Sequence, residues 1–371
     1  MPNIKPNFNH LNCNEILRLA RWEAYVDASL ILRHIQELTT LFPSSLQPGL
    51  NSTIMATSNI LRRALLYVPG SSQRMIDKSR TLVADCIAYD LEDSVTPAKK
   101  AEARAMVRKA IDQPLPPGIR ERAVRINSVS SGLALADLTE VLQSPNLTTL
   151  VVPKVDSPSD LHFITDVISH TLTTNPPIQT TPQPKPPISI LALIESAKSL
   201  LSLPQICTAT PAHLSGLIFA AADFSRDLSI TQTPSLSEFL YARSAIVTAA
   251  RAHNLPSTID LVCTDIHSPE VLEREALSGM RMGFNGKQCI HPGQVGGVQG
   301  VFSPGGKEVE WAVRVLVGDE RAGEGGRGAW KLDGMMVDVP VVERARGIVR
   351  RAEMCGVDVG GVRGRVEGGE V

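Results

Sequence analysis

A short apolar run recurs eight times between residues 62 and 290. Each run ends in polar or charged groups, and most are followed by helix-forming sequence. This alternation constrains the chain more than any other feature, because consecutive parallel strands cannot be joined without a long crossover, usually a helix. The runs lie at 64–68, 86–89, 123–126, 148–152, 188–194, 217–221, 259–262 and 282–284. Helical patterns lie between them at 73–83, 98–111, 132–142, 159–170, 237–252 and 269–278. Eight strands alternating with helices over about 230 residues match a (β/α)8 TIM barrel, an α/β fold. The alternative is a doubly wound open sheet, which places a Gly-rich dinucleotide loop after its first strand. Tyr67-Val68-Pro69-Gly70-Ser71-Ser72 is no such loop.

Composition narrows the function classes. The chain of 371 residues is 43% hydrophobic and 20% charged, with a formal net charge of −1. There is no basic excess to suggest a nucleic-acid partner, and no apolar run is long enough to span a membrane. Aromatic residues make up only 4%, so the core is expected to be aliphatic. The six cysteines are scattered without a CxxC pair, several of them inside apolar runs. They read as buried thiols of a reducing, intracellular compartment rather than as disulfides or zinc ligands.

The expected organisation is an extension at 1–54, the catalytic barrel at 55–300, a C-terminal lid or oligomerisation segment at 301–354, and a disordered tail at 355–371. The extension has helical spacing at 17–41 and carries Glu15, Glu23, Asp27 and Glu37, an acid content that fits a mitochondrial targeting peptide poorly. Met55 offers an alternative start, which would make the extension dispensable. Mitochondrial and cytoplasmic locations both stay open. A Thr/Pro-rich insert at 171–187 reads as an exposed loop, 322–329 as a mobile Gly-rich segment, and 331–339 as loop-like.

The chemistry concentrates at the ends of the apolar runs. At 84–100, ADCIAYDLEDSVTPAKK, a buried strand hands over to a helix through Asp90, Glu92 and Asp93. In a parallel barrel every strand points the same way, so Asp90, Glu92, Asp93, Arg125, Lys154, Glu195, Asp223, Asp265 and Lys287 are expected on one rim. Helix capping explains one such acid easily but nine charged groups poorly. Glu195 and Asp223 follow adjacent strands without His or Cys neighbours, a hard oxygen pair suited to Mg2+ with positions left for substrate and water. Arg125 offers a planar fork to a substrate carboxylate. Lys154 also reads as a partner for a rim acid, Asp265 as a helix cap, and Cys263 and Cys289 as small apolar fillers.

Six motifs follow one another in order: RRALLYVPG (62–70), YDLEDSVTPAKKAEAR (89–104), RIN (125–127), ALIES (192–196), GFNGKQCIHPGQV (283–295) and DGMMVDVP (333–340). Together they resemble the citrate lyase beta-subunit-like family of the HpcH/HpaI aldolase group, over about 62–354. The resemblance implies a TIM barrel of the pyruvate/phosphoenolpyruvate-binding type, a homotrimer, and a Mg2+-dependent lyase acting on acyl-CoA thioesters and small 2-keto acids. It implies Glu195 and Asp223 as metal ligands, Arg125 as the keto-acid clamp, and Glu92 and Asp93 as organisers of the metal's water shell. It places Arg63 and Lys100 near the CoA phosphates or the rim, and Asn285, Lys287, His291 and Pro292 in the segment that packs on the CoA. Asp338 matches a catalytic aspartate that acts on a neighbouring subunit's barrel. One departure stands out: the family's Gly-Gly-Glu-Asp is here Ala220-Ala221-Ala222-Asp223. The competing functions are a malyl-CoA thioesterase, a degenerate CoA-ester-binding subunit, and an aldolase acting on free keto acids.

Overall fold

The computed structural model describes residues 60–174, 186–324 and 329–369. The extension at 1–54, the centre of the Thr/Pro-rich insert and residues 325–328 lie outside the described residues. Eight parallel strands close into a barrel in sequence order: β1 (Ala64–Pro69), β2 (Ala84–Asp90), β3 (Ile119–Arg125), β4 (Thr149–Val152), β5 (Ser189–Ile194), β6 (Leu214–Phe219), β7 (Ser257–Asp260) and β8 (Gly286–Cys289). β8 closes on β1, with Leu65 opposite Gln288. The expected TIM barrel is therefore present.

Alternation along the strands separates two cores. Residues such as Leu65, Cys86, Ala88, Ala123, Val151, Leu191, Leu193, Ile218 and Ile259 fill the barrel interior. Their outward neighbours pack in a larger aliphatic core that includes the surrounding helices. The N-terminal end of the barrel is plugged by polar groups. Arg62, 1% exposed, donates to Glu121 at 2.6 and 2.7 Å and to the Ser215 and Ser257 hydroxyls at 3.1 Å.

Two loop bounds move, since residues 171–174 belong to helix Pro158–Thr174 and 322–324 to helix Gly306–Glu324, and three further expectations need correction. The eighth strand is Gly286–Cys289, not 282–284. The preceding helix runs through Met282 and ends on Gly283 at φ +98°, a left-handed turn that glycine adopts freely. Segment 331–339 is no simple loop. It contains an antiparallel hairpin of β9 (Trp330–Leu332) and β10 (Met335–Val337), joined by Asp333 and Gly334 at φ +50° and +80°. Asp-Gly is the sequence signal for such a two-residue turn. Finally, Val359–Glu367 in the expected disordered tail is a helix, capped by the Asp358 carboxylate. Val359, Val362 and Val366 turn one face of it onto Val313, Val317 and Ala352.

The C-terminal helices Gly306–Glu324, Val339–Met354 and Val359–Glu367 build small apolar cores of their own. They dock at the N-terminal end of the barrel, where Arg351 donates to the Asn285 and Phe302 carbonyls at 2.8 Å.

Candidate active site

A cavity of about 420 Å3 opens at the C-terminal end of the barrel, lined from the ends of seven of the eight strands. It follows from strand parity. The inward series Cys86, Ala88 continues to Asp90, the series Glu121, Ala123 to Arg125, and the series Leu191, Leu193 to Glu195. Each polar side chain is one step beyond the apolar interior.

Asp90 organises the rim. Its carboxylate accepts the Arg125 guanidinium at 2.7 Å through both Nε and Nη2. It also accepts the N–H groups of Glu92 and Ser94 at 2.8 and 3.0 Å, which tie the following loop back over the strand. Burial opposes its charge, but Arg125, Ser94 and the Glu92 N–H outweigh burial and hold the carboxyl below its ordinary value. Arg125 lies over the Tyr67 ring at 4.5 Å. Burial works against its charge, yet the Asp90 carboxylate leaves its pKa raised. Its Nη1 lies 3.1 Å from Glu92 and 3.7 Å from Asp93. One edge of the fork is thus committed to Asp90, and Nη1 is the part turned toward the remaining acids.

Glu195 is 4% exposed and accepts the Lys154 N–H at 3.2 Å. Burial first, then repulsion from Glu92 and Asp223, push its carboxyl up to about 8. Asp223 sits in the first turn of helix Ala221–Leu228 and pairs with Arg226 at 2.6 Å. Both Glu195 and Asp223 line the cavity. Among the described residues no group of three or more His, Cys, Asp or Glu side chains forms a metal cage. Two carboxylates facing one cavity fit an ion such as Mg2+, which keeps several waters and takes few protein ligands. The repulsion between buried Glu195 and half-buried Asp223 is what a divalent cation offsets.

The model for HpcH/HpaI aldolase/citrate lyase matches residues 63–292. The chain belongs to the HpcH/HpaI aldolase/citrate lyase family. It is 36% identical to the human mitochondrial citramalyl-CoA lyase, across 79% of this chain and 86% of that protein. It is 33% identical to the citrate lyase subunit beta of Escherichia coli K12, across 80% and 95% of the two chains. Among solved structures, CitE of Mycobacterium tuberculosis in complex with magnesium, acetoacetate and coenzyme A aligns with a TM-score of 0.64 at 27% identity, covering 80% of this chain and 99% of that one.

The rim gathers most residues that the family motifs single out, but not all. Arg125, Asp93, Glu195 and Asp223 line the cavity, with Glu92 bonded behind them. His291 and Pro292 start the helix directly after the wall residue Ile290. Lys100 reaches the rim with its donors spent: Nζ bonds the Leu91 and Glu92 carbonyls at 2.7 Å and Asn127 Oδ1 at 2.6 Å. Arg63, Asn285 and Lys287 are corrections. Arg63 precedes β1 at the opposite end of the barrel and holds Asp85 at 2.8 Å. Asn285 precedes β8 and accepts from Thr258 at 2.9 Å. Lys287 faces outward, fully buried, and pairs with Glu275 at 3.0 Å. Asp265 caps the next loop, accepting the His267 and Ser268 N–H groups at 2.8 and 3.0 Å. Asp338 caps helix Val339–Met354, and no described residue beyond Ile290 lines the cavity. The wall residues without a role from the sequence include two polar strand residues, Tyr67 and Gln288, which bond each other at 3.0 Å. Strand parity marks both, since Tyr67 follows the inward Leu65 and Gln288 is the inward neighbour of Lys287.

Proposed function

We propose that this chain is a Mg2+-dependent carbon–carbon lyase. It cleaves, or forms, a β-hydroxyacyl-CoA such as citramalyl-CoA or malyl-CoA, with acetyl-CoA and a small 2-keto acid as the other partners. The observation that carries this reading is the pairing of Glu195 and Asp223 beside Arg125 in one cavity, in a chain from a family with citramalyl-CoA and citrate lyases. Bound by the two acids, Mg2+ supplies Lewis acidity toward the oxygens of the hydroxy or keto acid.

The chain's own groups do the rest. Arg125, fixed by Asp90 and stacked on Tyr67, presents Nη1 toward the acid's carboxylate. No side chain caps helix Ala221–Leu228, so its first-turn N–H groups, beside the small walls of Ala220, Ala221 and Ala222, serve the same carboxylate. The β-carbons at Ala220–Ala222 favour a compact acid such as glyoxylate or pyruvate. Glu92 and Asp93 accept hydrogen bonds from water around the cation. Asp338 protonates the acetyl-CoA enolate during cleavage and takes the methyl proton in reverse. It acts on a neighbouring barrel of a homotrimer. In support, Arg351 anchors the far end of its helix to its own barrel, thirteen residues or about 20 Å away. Met335, Met336 and Val339 beside Asp338 are 65%, 67% and 68% exposed, an apolar tip free to meet a second copy. We place the protein inside the cell, in the mitochondrion or the cytosol. The relatives named as mitochondrial and the free cysteines of the described residues support this.

The test is a product assay with malyl-, citramalyl- and citryl-CoA. Acetyl-CoA and keto acid in equal amounts, lost on chelation with EDTA, are expected. Free CoA with intact hydroxy acid would instead make the protein a thioesterase. No turnover on any of the three would leave a CoA-ester-binding role.

A further inference from the structure

β4 alone adds no wall to the cavity, yet Lys154, two residues beyond its end, touches two acids of the site. Lys154 has φ +51°, a left-handed backbone that a lysine seldom adopts. That turn points its N–H at Glu195 Oε1, 3.2 Å away, while its ammonium bonds Glu92 Oε1. The other Glu92 oxygen lies 3.1 Å from Arg125 Nη1. Both Glu92 oxygens are thus held by protein cations, whereas Glu195 receives a neutral N–H from Lys154. Sorting of this kind, at a residue held in an unfavourable backbone conformation, points to a functional constraint.

We propose that Lys154 is a positioning residue that keeps Glu92 out of the cation's inner coordination shell. The inference rests on Glu195 and Asp223 as the cation ligands. Glu92 is buried, and Lys154 bridges it to Glu195. Without the ammonium it would be a third carboxylate able to swing onto the ion. It would then bind the metal more tightly and fill a position that a substrate oxygen needs. Lys154 therefore trades cation affinity for open coordination positions.

The test is isothermal titration with magnesium chloride alone, followed by steady-state kinetics. Lys154→Met is expected to bind Mg2+ about tenfold more tightly, since Glu92 is then free to add a third carboxylate to the ion, and to show a raised KM for the hydroxyacyl-CoA. Merely structural damage would weaken Mg2+ binding, so the sign separates the two. Lys154→Gly relieves the left-handed turn while removing the ammonium, and is expected to tighten binding equally. Lys154→Arg keeps the charge and is expected near the native affinity. Adding Glu92→Gln to Lys154→Met is expected to return the affinity toward native. If the native protein binds Mg2+ and Lys154→Met binds it equally or less well, the inference fails. If the native protein does not bind Mg2+, or Glu195→Gln leaves binding unchanged, the reading of the metal site fails instead.

Discussion

As the proposed cation ligand, Glu195 would meet two opposed demands: its buried, acid-rich position favours the neutral carboxyl, and a cation requires the carboxylate. In the metal-free chain the carboxyl keeps its proton up to about pH 8, far above the ordinary glutamate value. The folded chain thus binds this proton more tightly than the unfolded one. Its contribution to stability is present at low pH and is lost as pH rises toward about 8. Mg2+ uptake must expel the proton. Apparent Mg2+ affinity is therefore expected to climb with pH up to about 8 and then level off. Calorimetry in buffers of different ionisation enthalpy should find proton release that fades over the same range. An affinity independent of pH would count against Glu195 as a ligand. Asp90 shows the opposite balance: buried as deeply, it ends below its ordinary value because Arg125 supplies the compensating charge.

Among the elements, the β2 loop of the cavity and the C-terminal hairpin before Asp338 are held in different ways. The β2 loop is braced from behind. Lys100 and Asn127 Nδ2 bond the Leu91 carbonyl at 2.7 and 3.0 Å, and Asp137 joins Asn127 to Arg104 at 2.6 Å. The hairpin instead leans on one glycine, because a Cβ at Gly318 would stand 2.1 Å from the Trp330 ring. Gly318→Val is expected to displace the hairpin and Asp338. It should lower turnover at least about tenfold, by analogy with the cost of misplacing reacting groups, with Mg2+ affinity kept. Loss of Mg2+ binding in that variant would mean that the hairpin supports the barrel itself. The strand–helix alternation and the inward acids were legible because period two and strand order fix which residues meet on the rim. Arg63, Asn285 and Lys287 were misplaced because a motif spans both ends of a strand. A short strand carries neighbouring residues to opposite faces, and only Gln288 of that stretch turns inward. The last strand was misread because the helix before it ends on Gly283, and the tail because its valines find a partner only in the folded C-terminal unit.

At the scale of the whole molecule, no described residue beyond Ile290 lines the cavity, and the proposed role of Asp338 brings in a second copy. Asp338→Asn is expected to cut turnover by about two to four powers of ten with substrate binding nearly intact. Glu195→Gln should be inactive for want of the cation. Mixed oligomers of the two variants are expected to regain activity, because an intact barrel then meets an intact Asp338. Recovery at no mixing ratio would place the aspartate and the cavity in the same subunit, or remove Asp338 from the mechanism. The measurement closest to the central claim is cleavage of the preferred hydroxyacyl-CoA in D2O, with the acetyl-CoA analysed by mass spectrometry. A single methyl deuterium, gained in step with keto-acid release and lost with EDTA, is the predicted result. Free CoA released from an intact hydroxy acid, or acetyl-CoA without deuterium, would contradict carbon–carbon cleavage through an enolate at this site.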